Sequence, residues 1–360
     1  MNRPTDSAGA DPGAADRAWV RALPKAEVHL HLAGSVRPTT AVRLARERGL
    51  FRESSDAALT ARLVAPPRCA DQAELLRAFE VPVALLQDAE ALSAVAAELV
   101  EDVASDGTRY AEIRFAPASH TRAGLSIRDV MRAVATGVRA AHDQPVVVRL
   151  IAIAMRTDPP ARSMELARHA ADALADGMVG FDLAGLEATA PDITPHLPAF
   201  RRARDAGLGI SIHAGEWGGA AQVWAALAAD PDRIAHGGPA ADDPALTAEL
   251  IARGITLDLC PTSNVQAALV PHVEDHPLPR LLRAGVPVTL STDDRTVSHT
   301  TLVDEALLAL GPLGLTRREI VGLQRQALRA AFLHHDEALR GRLTAGLDAW
   351  VEHDEETAAP

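Results

Sequence analysis

The chemistry-bearing residues of this chain are histidines and carboxylates that recur beside short apolar runs. His29-Leu-His31 sits in the run Glu27-Val-His-Leu-His-Leu32. On a strand, residues i and i+2 point to one face, so both imidazoles project into the same space. His213-Ala-Gly-Glu216 closes a second run, Arg233-Ile-Ala-His236 is a third, and Ser291-Thr-Asp293-Asp294 closes a fourth. One aspartate at a strand end is ordinarily a helix cap. Four such ends, with three or four histidines and two or three carboxylates between them, are too costly to bury without a function. Three neutral imidazoles and a carboxylate make an N3O donor set suited to Zn2+, with Fe2+ or Mn2+ as alternatives. If His29, His31, His213 and Asp293 take a metal, Glu216 and His236 are left to move protons. A bound divalent ion brings the pKa of a water towards neutrality. The set therefore composes metal-assisted hydrolysis, with a carboxylic acid free to protonate the ring nitrogen of an attacked heterocycle.

These groups need a frame that brings many strand ends together. Strand candidates fall at residues 27–32, 109–115, 146–153, 179–183, 209–213, 233–236, 255–260 and 287–291, most of them rich in β-branched residues. Helical spacing occupies 127–142, 163–176 and 197–206, and Gly207, Gly254 and Gly285 stand where helix C-caps are expected. Strand–helix alternation carried through eight strands predicts a (β/α)8 TIM barrel with its active site at the C-terminal strand ends. An open doubly wound sheet is the alternative. The first two strands are separated by a long helical insertion, about residues 39–105, and extra C-terminal helices are expected at 302–310, 317–332 and 336–350. Residues 1–18 and the acidic stretch 351–360 read as tails. That leaves 19–350 as a single domain.

Composition agrees with a globular frame: 360 residues, 48% hydrophobic and 23% charged. A net charge of −12 argues against a nucleic-acid polymer or an anionic membrane as partner. No apolar run is long enough for a membrane span or a signal core. The two cysteines, Cys69 and Cys260, form neither a disulfide framework nor a metal knuckle, which suits a reducing cytoplasm. The only lysine, Lys25, precedes the first strand, so no carboxylated lysine is available for a second metal. The sequence assigns no oligomeric state.

In chain order, Pro24-Lys-Ala-Glu-Val-His-Leu-His-Leu32 with Gly34-Ser35, His213-Ala-Gly-Glu216, Arg233-Ile-Ala-His-Gly237, Leu259-Cys-Pro-Thr-Ser-Asn-Val265 and Ser291-Thr-Asp-Asp294 resemble the adenosine deaminase family. The resemblance implies one Zn2+ per chain and hydrolytic deamination at C6 of a small purine nucleoside. On this reading His29, His31, His213 and Asp293 hold the zinc, and Glu216 protonates N1. The resemblance also implies that His236 orients and deprotonates the attacking water and steadies the tetrahedral intermediate. Asp294 is matched to N7 and the backbone of Gly185 to N3. Ser263 and Asn264 are read as loop architecture. One departure bears on substrate: Ala33 stands where adenosine-specific members carry an aspartate that accepts the ribose 5′-hydroxyl. A 5′-modified adenine nucleoside, such as aminodeoxyfutalosine or a thioadenosine, is therefore expected beside adenosine. Adenine itself is the enzymatic alternative. A catalytically inactive purine-binding relative is the other, and the intact Glu216, His236 and ligand positions argue against it. Trp217 is placed either over the purine or in the barrel mouth, Arg114 as an inward partner for a carboxylate, His299 beside the pocket, and His334-His335 on a surface helix.

Overall fold

The computed structural model describes residues 12–358. Eight strands, β1 (Lys25–His31), β2 (Thr108–Phe115), β3 (Val147–Met155), β4 (Met178–Ala184), β5 (Gly209–Ala214), β6 (Arg233–His236), β7 (Thr256–Leu259) and β8 (Val288–Leu290), lie in chain order, each parallel to the next. Both faces of a parallel sheet are covered, so these strands read as nearly unbroken apolar runs and bury almost every residue. The seam joins β1 to the residues after β8. Asp293 N donates to the His29 carbonyl at 3.2 Å, and His31 N donates to the Asp293 carbonyl at 2.7 Å. That closure makes the barrel and removes the open-sheet alternative.

Helices cover the outside and start where side chains can satisfy their free N–H groups. Ser126 and Asp129 form a capping box on Ile127–Ala140, Thr316 and Glu319 another on Arg317–Ala330. Between β1 and β2 come helices Pro38–Arg48, Asp56–Ala61, Gln72–Leu76, Glu80–Leu85 and Ala89–Ser105. The last of these belongs to the barrel wall, packed on Ile127–Ala140. Of the earlier four, Gln72–Leu76 and Glu80–Leu85 reach the strand ends at the mouth.

Inside the barrel, charges pair with one another. Arg114 Nη1 donates to Asp182 at 3.0 Å and Nη2 to the Val28 carbonyl at 2.8 Å, while Arg233 joins Glu112 and Asp258. Arg114 is thus the inward carboxylate partner expected of it. All five carboxylate and guanidinium partners are buried, a position tolerated only because each is compensated.

The tails expected at 1–18 and 351–360 are partly helical. Pro12–Ala22 is a helix, and the final helix, Glu337–Ala358, runs through the acidic stretch; residues 1–11 and 359–360 lie outside the described residues. The first helix packs chiefly on Leu302–Leu310 and the last on Arg317–Ala330, and the two also touch each other. Trp19 meets Trp350 edge-on at 5.6 Å and its Nε1 donates to Asp354 at 2.8 Å. Lys25 then caps the first helix, its Nζ donating to the carbonyls of Val20 (2.6 Å), Leu23 (2.8 Å) and Arg21 (3.4 Å). None of the described helices is long and apolar enough to cross a membrane.

Candidate active site and metal centre

Strand ends β1 and β5 and the turn after β8 converge on one point. The Nε2 atoms of His29 and His31 lie 3.2 Å apart, as do those of His31 and His213. Asp293 Oδ1 lies 3.0 Å from His29 Nε2 and 3.2 Å from His31 Nε2. All four candidate ligand atoms fall within 4.8 Å of one another. Burial pushes His29 well below the usual histidine range and lowers His31, so both are neutral and offer lone pairs. Behind His213, Asp182 Oδ2 sits 2.9 Å from Nδ1, and Nε2 faces the cluster. Ser263 Oγ donates to Asp293 Oδ2 at 2.6 Å, which leaves Oδ1 for the histidines. This donor set, three imidazoles and an ionised Asp293 carboxylate, fits a single Zn2+-class ion. Asp293 and His236 both hold left-handed backbone, φ 65° and 68°, a strain that non-glycine residues keep chiefly at functional sites.

Beside the cluster lie His236 and Glu216. His236 Nε2 is 3.9 Å from Glu216 Oε1 and 3.9 Å from Asp293 Oδ2. Burial, and then the charges of Asp293 and Glu187, push Glu216 well above the carboxylate range, so it stands as a protonated acid. Glu187 also fixes where Glu216 points. It accepts from the backbone N–H groups of Gly215 (2.5 Å), Trp217 (2.7 Å) and Gly218 (3.2 Å), gripping the turn that carries the acid. Asp294 is raised well above its usual value by burial and by Asp293 and Glu216, and its Oδ1 has no partner among the described residues. It occupies the space a side chain at position 34 would take: a Cβ on Gly34 would fall 1.6 Å from Asp294 Oδ1.

These groups floor a cavity walled by Leu75, Leu76, Phe79 and Val83 of the insertion and by Phe115 and Met155 of the barrel. Gly185 lines it at φ 99°, where a Cβ would strike Met155 at 2.9 Å. Gln72 bridges the two walls. Its Nε2 donates to the Gly185 carbonyl at 3.1 Å, and its Oε1 accepts from Ala188 N at 3.3 Å.

The structure brings His31, Gly185, His213, Glu216, His236, Asp293 and Asp294 to this one cavity, with His29 directly behind. Trp217 packs on the small insertion cluster of Ala65, Cys69, Leu75, Ala78 and Val297 rather than lining the cavity. His299 is exposed, because the turn that follows Asp294 carries its ring outward. His334 and His335 are exposed as expected, though in a turn rather than a helix. Ser263 and Asn264, read as loop architecture, touch Asp293 and His236. Asp182, Glu187, Gln72 and His276 escape sequence reasoning. Only Asp182 had a signal, an acid on a strand beside Gly185.

The sequence model of the adenosine deaminase family matches residues 24–350. The adenosine deaminase of Enterococcus faecalis is 36% identical over 319 residues, 88% of this chain and 94% of its own. That of Mycobacteroides abscessus is 37% identical over 344 residues, 90% of this chain and 94% of its own. Among solved structures, the adenine deaminase of Arthrobacter aurescens superposes with a TM-score of 0.83 at 27% identity, covering 92% of this chain and all of the other. The Arabidopsis N6-mAMP deaminase gives 0.83 at 30% identity, covering 92% and 99%. A zinc-bound amidohydrolase from Burkholderia ambifaria gives 0.85 at 26%, covering 97% of each. The chain is an aminohydrolase enzyme, and it belongs to the adenosine deaminase family.

Proposed function

We propose that the protein removes the 6-amino group of an adenine nucleoside, with one Zn2+ held by His29, His31, His213 and Asp293. The observation that carries this reading is the convergence of those four ligand atoms beside a protonated Glu216. When bound, the zinc lowers the pKa of a water and makes it nucleophilic at neutral pH. Glu216 gives its proton to N1 as the C6–O bond forms, and His236 holds the added oxygen. The C6–N6 bond then breaks, ammonia leaves and a 6-oxo purine remains. Asp294, raised into its protonated form, is a donor, which is what the acceptor N7 requires. Gly185, without a side chain, lets the ring edge carrying N3 approach the backbone.

Substrate choice turns on the 5′ end, where the named relatives differ. Ala33 lines the cavity and provides no carboxylate. The one guanidinium in the lining, Arg114, is spent on Asp182 and the Val28 carbonyl. A 5′-phosphate would therefore be buried without a counter-charge, which disfavours nucleotides. The neutral acceptor nearby is His120, held near pKa 4 by burial, with its Nδ1 committed to the Leu86 carbonyl at 2.9 Å. We therefore assign a nucleoside whose 5′ position is uncharged, with or without a 5′-hydroxyl.

Zinc-loaded enzyme tests this by kcat/KM for adenine, adenosine, 5′-deoxyadenosine, 5′-thioadenosines and AMP. Adenosine and 5′-deoxyadenosine should differ by less than about tenfold, and AMP should trail both by at least ~100-fold. Ala33→Asp should raise the preference for adenosine about tenfold. A strong wild-type preference for adenosine would sink the 5′ assignment. Failure to convert any adenine compound at full metal occupancy would remove the deaminase reading itself.

A further inference from the structure

His236 closes β6 with its ring buried and its two nitrogens facing opposite sides. On the cavity side, Nε2 faces the Glu216 carboxylic acid and the Asp293 carboxylate, 3.9 Å from each. On the far side, Nδ1 lies 3.0 Å from Asn264 Nδ2, and the other end of that amide, Oδ1, lies 3.0 Å from His276 Nε2. His276 Nδ1 accepts from the backbone N–H of Leu278 at 3.2 Å. Asn264 and His276 are only 0% and 3% exposed.

The direction of this chain is set at its far end. A backbone N–H only donates, so His276 Nδ1 carries no proton. The one proton of that neutral ring is on Nε2 and goes to Asn264 Oδ1. The amide must then turn its NH2 to His236, whose Nδ1 accepts. Turning the amide over would set its NH2 against the Nε2–H of His276, donor against donor, in a site closed to solvent. For His236 only Nε2 is left to carry a proton.

We infer that Leu278 N–H, His276 and Asn264 form a relay that holds His236 as its Nε2–H tautomer, so that His236 donates to the oxygen added at C6 instead of taking a proton from the water. The ionised Asp293 carboxylate facing that nitrogen at 3.9 Å suits a donor. Asn264 and His276 are positioning residues, acting through His236 without touching substrate. Proton traffic then runs through Glu216. It protonates N1 as the C6–O bond forms and takes one proton from the added water. It passes that proton to the amine as the C6–N6 bond breaks, and recovers the last one from the C6 hydroxyl as the carbonyl forms. The catalytic consequence rests on the deaminase reading; the tautomer does not.

A two-bond 1H–15N correlation spectrum of 15N-histidine-labelled holoenzyme reads the tautomer, with the His236 signals identified by their loss in His236→Gln. Wild type should show a bare Nδ1 and a protonated Nε2. Asn264→Asp presents only acceptors, so the proton should move to Nδ1 and kcat should fall at least ~100-fold, with KM changed less than about threefold. His276→Gln keeps a donor for Asn264 Oδ1 and should retain the wild-type tautomer and most of kcat. A protonated Nδ1 in wild type overturns the relay whether or not the variants fold. A swapped tautomer with unchanged kcat overturns its catalytic role. The expected spectrum from an enzyme that converts no adenine compound upholds the relay and removes the deaminase reading instead.

Discussion

Asp294 shows how one missing atom group shapes the site. Its carboxyl lies where the side chain of residue 34 would be, and Gly34 has an ordinary backbone φ that alanine can adopt. Gly34→Ala should therefore fold normally yet displace Asp294, lowering kcat/KM at least ~100-fold with an unchanged circular dichroism spectrum. The candidate ligands and Glu216 were legible in the sequence because each sits in a short motif at, or just past, the C-terminal end of a strand, and His29 and His31 share one face by strand period. Asp182, Glu187 and His276 were not, because each acts on a residue brought by another strand or turn: His213, the Gly215–Gly218 turn and Asn264. No spacing within a motif records such a partner. Asn264 was visible as part of Cys260-Pro-Thr-Ser-Asn264, but its contact with His236 was not.

At the level of elements, the strands were the clearest signal. The run 233–236 is β6 itself, and 287–291 contracts only to Val288–Leu290. The ends of the chain read as tails because their apolar content is thin and their order comes from distant helices, Leu302–Leu310 and Arg317–Ala330, and from the contact of Trp19 with Trp350 and Asp354. Lys25 ties that pair of helices to the barrel. Lys25→Met leaves the carbonyls of Val20 and Leu23 without their donor, so urea denaturation should show a loss of about 2 kcal/mol. A loss below ~0.5 kcal/mol would show that the cap contributes nothing. Gln72→Ala should unhook the insertion from Gly185 and Ala188, raising KM for the nucleoside about tenfold with kcat changed less.

For the molecule as a whole, buried neutral histidines set its response to acid. Burial lowers His120 to about pKa 4 and His276 to about 3. Below an unfolded value of ~6.5 the open chain binds protons that the folded chain refuses, so stability falls as pH drops from ~6.5 towards 4. The urea midpoint should decline over that window, and His120→Gln should flatten the decline. An equal decline in the variant would place the titration elsewhere. The barrel seam gives the proposed metal site a second office. The backbone of His29, His31 and Asp293 closes the ring of strands, while their side chains offer the ligands. An ion bound there is a clasp on the hoop, and its binding energy is spent partly on keeping the first and last staves together. Chelation should accelerate amide hydrogen exchange at His31 and Asp293 before it touches the middle strands, so that the enzyme, on losing its catalyst, begins to open along the same line.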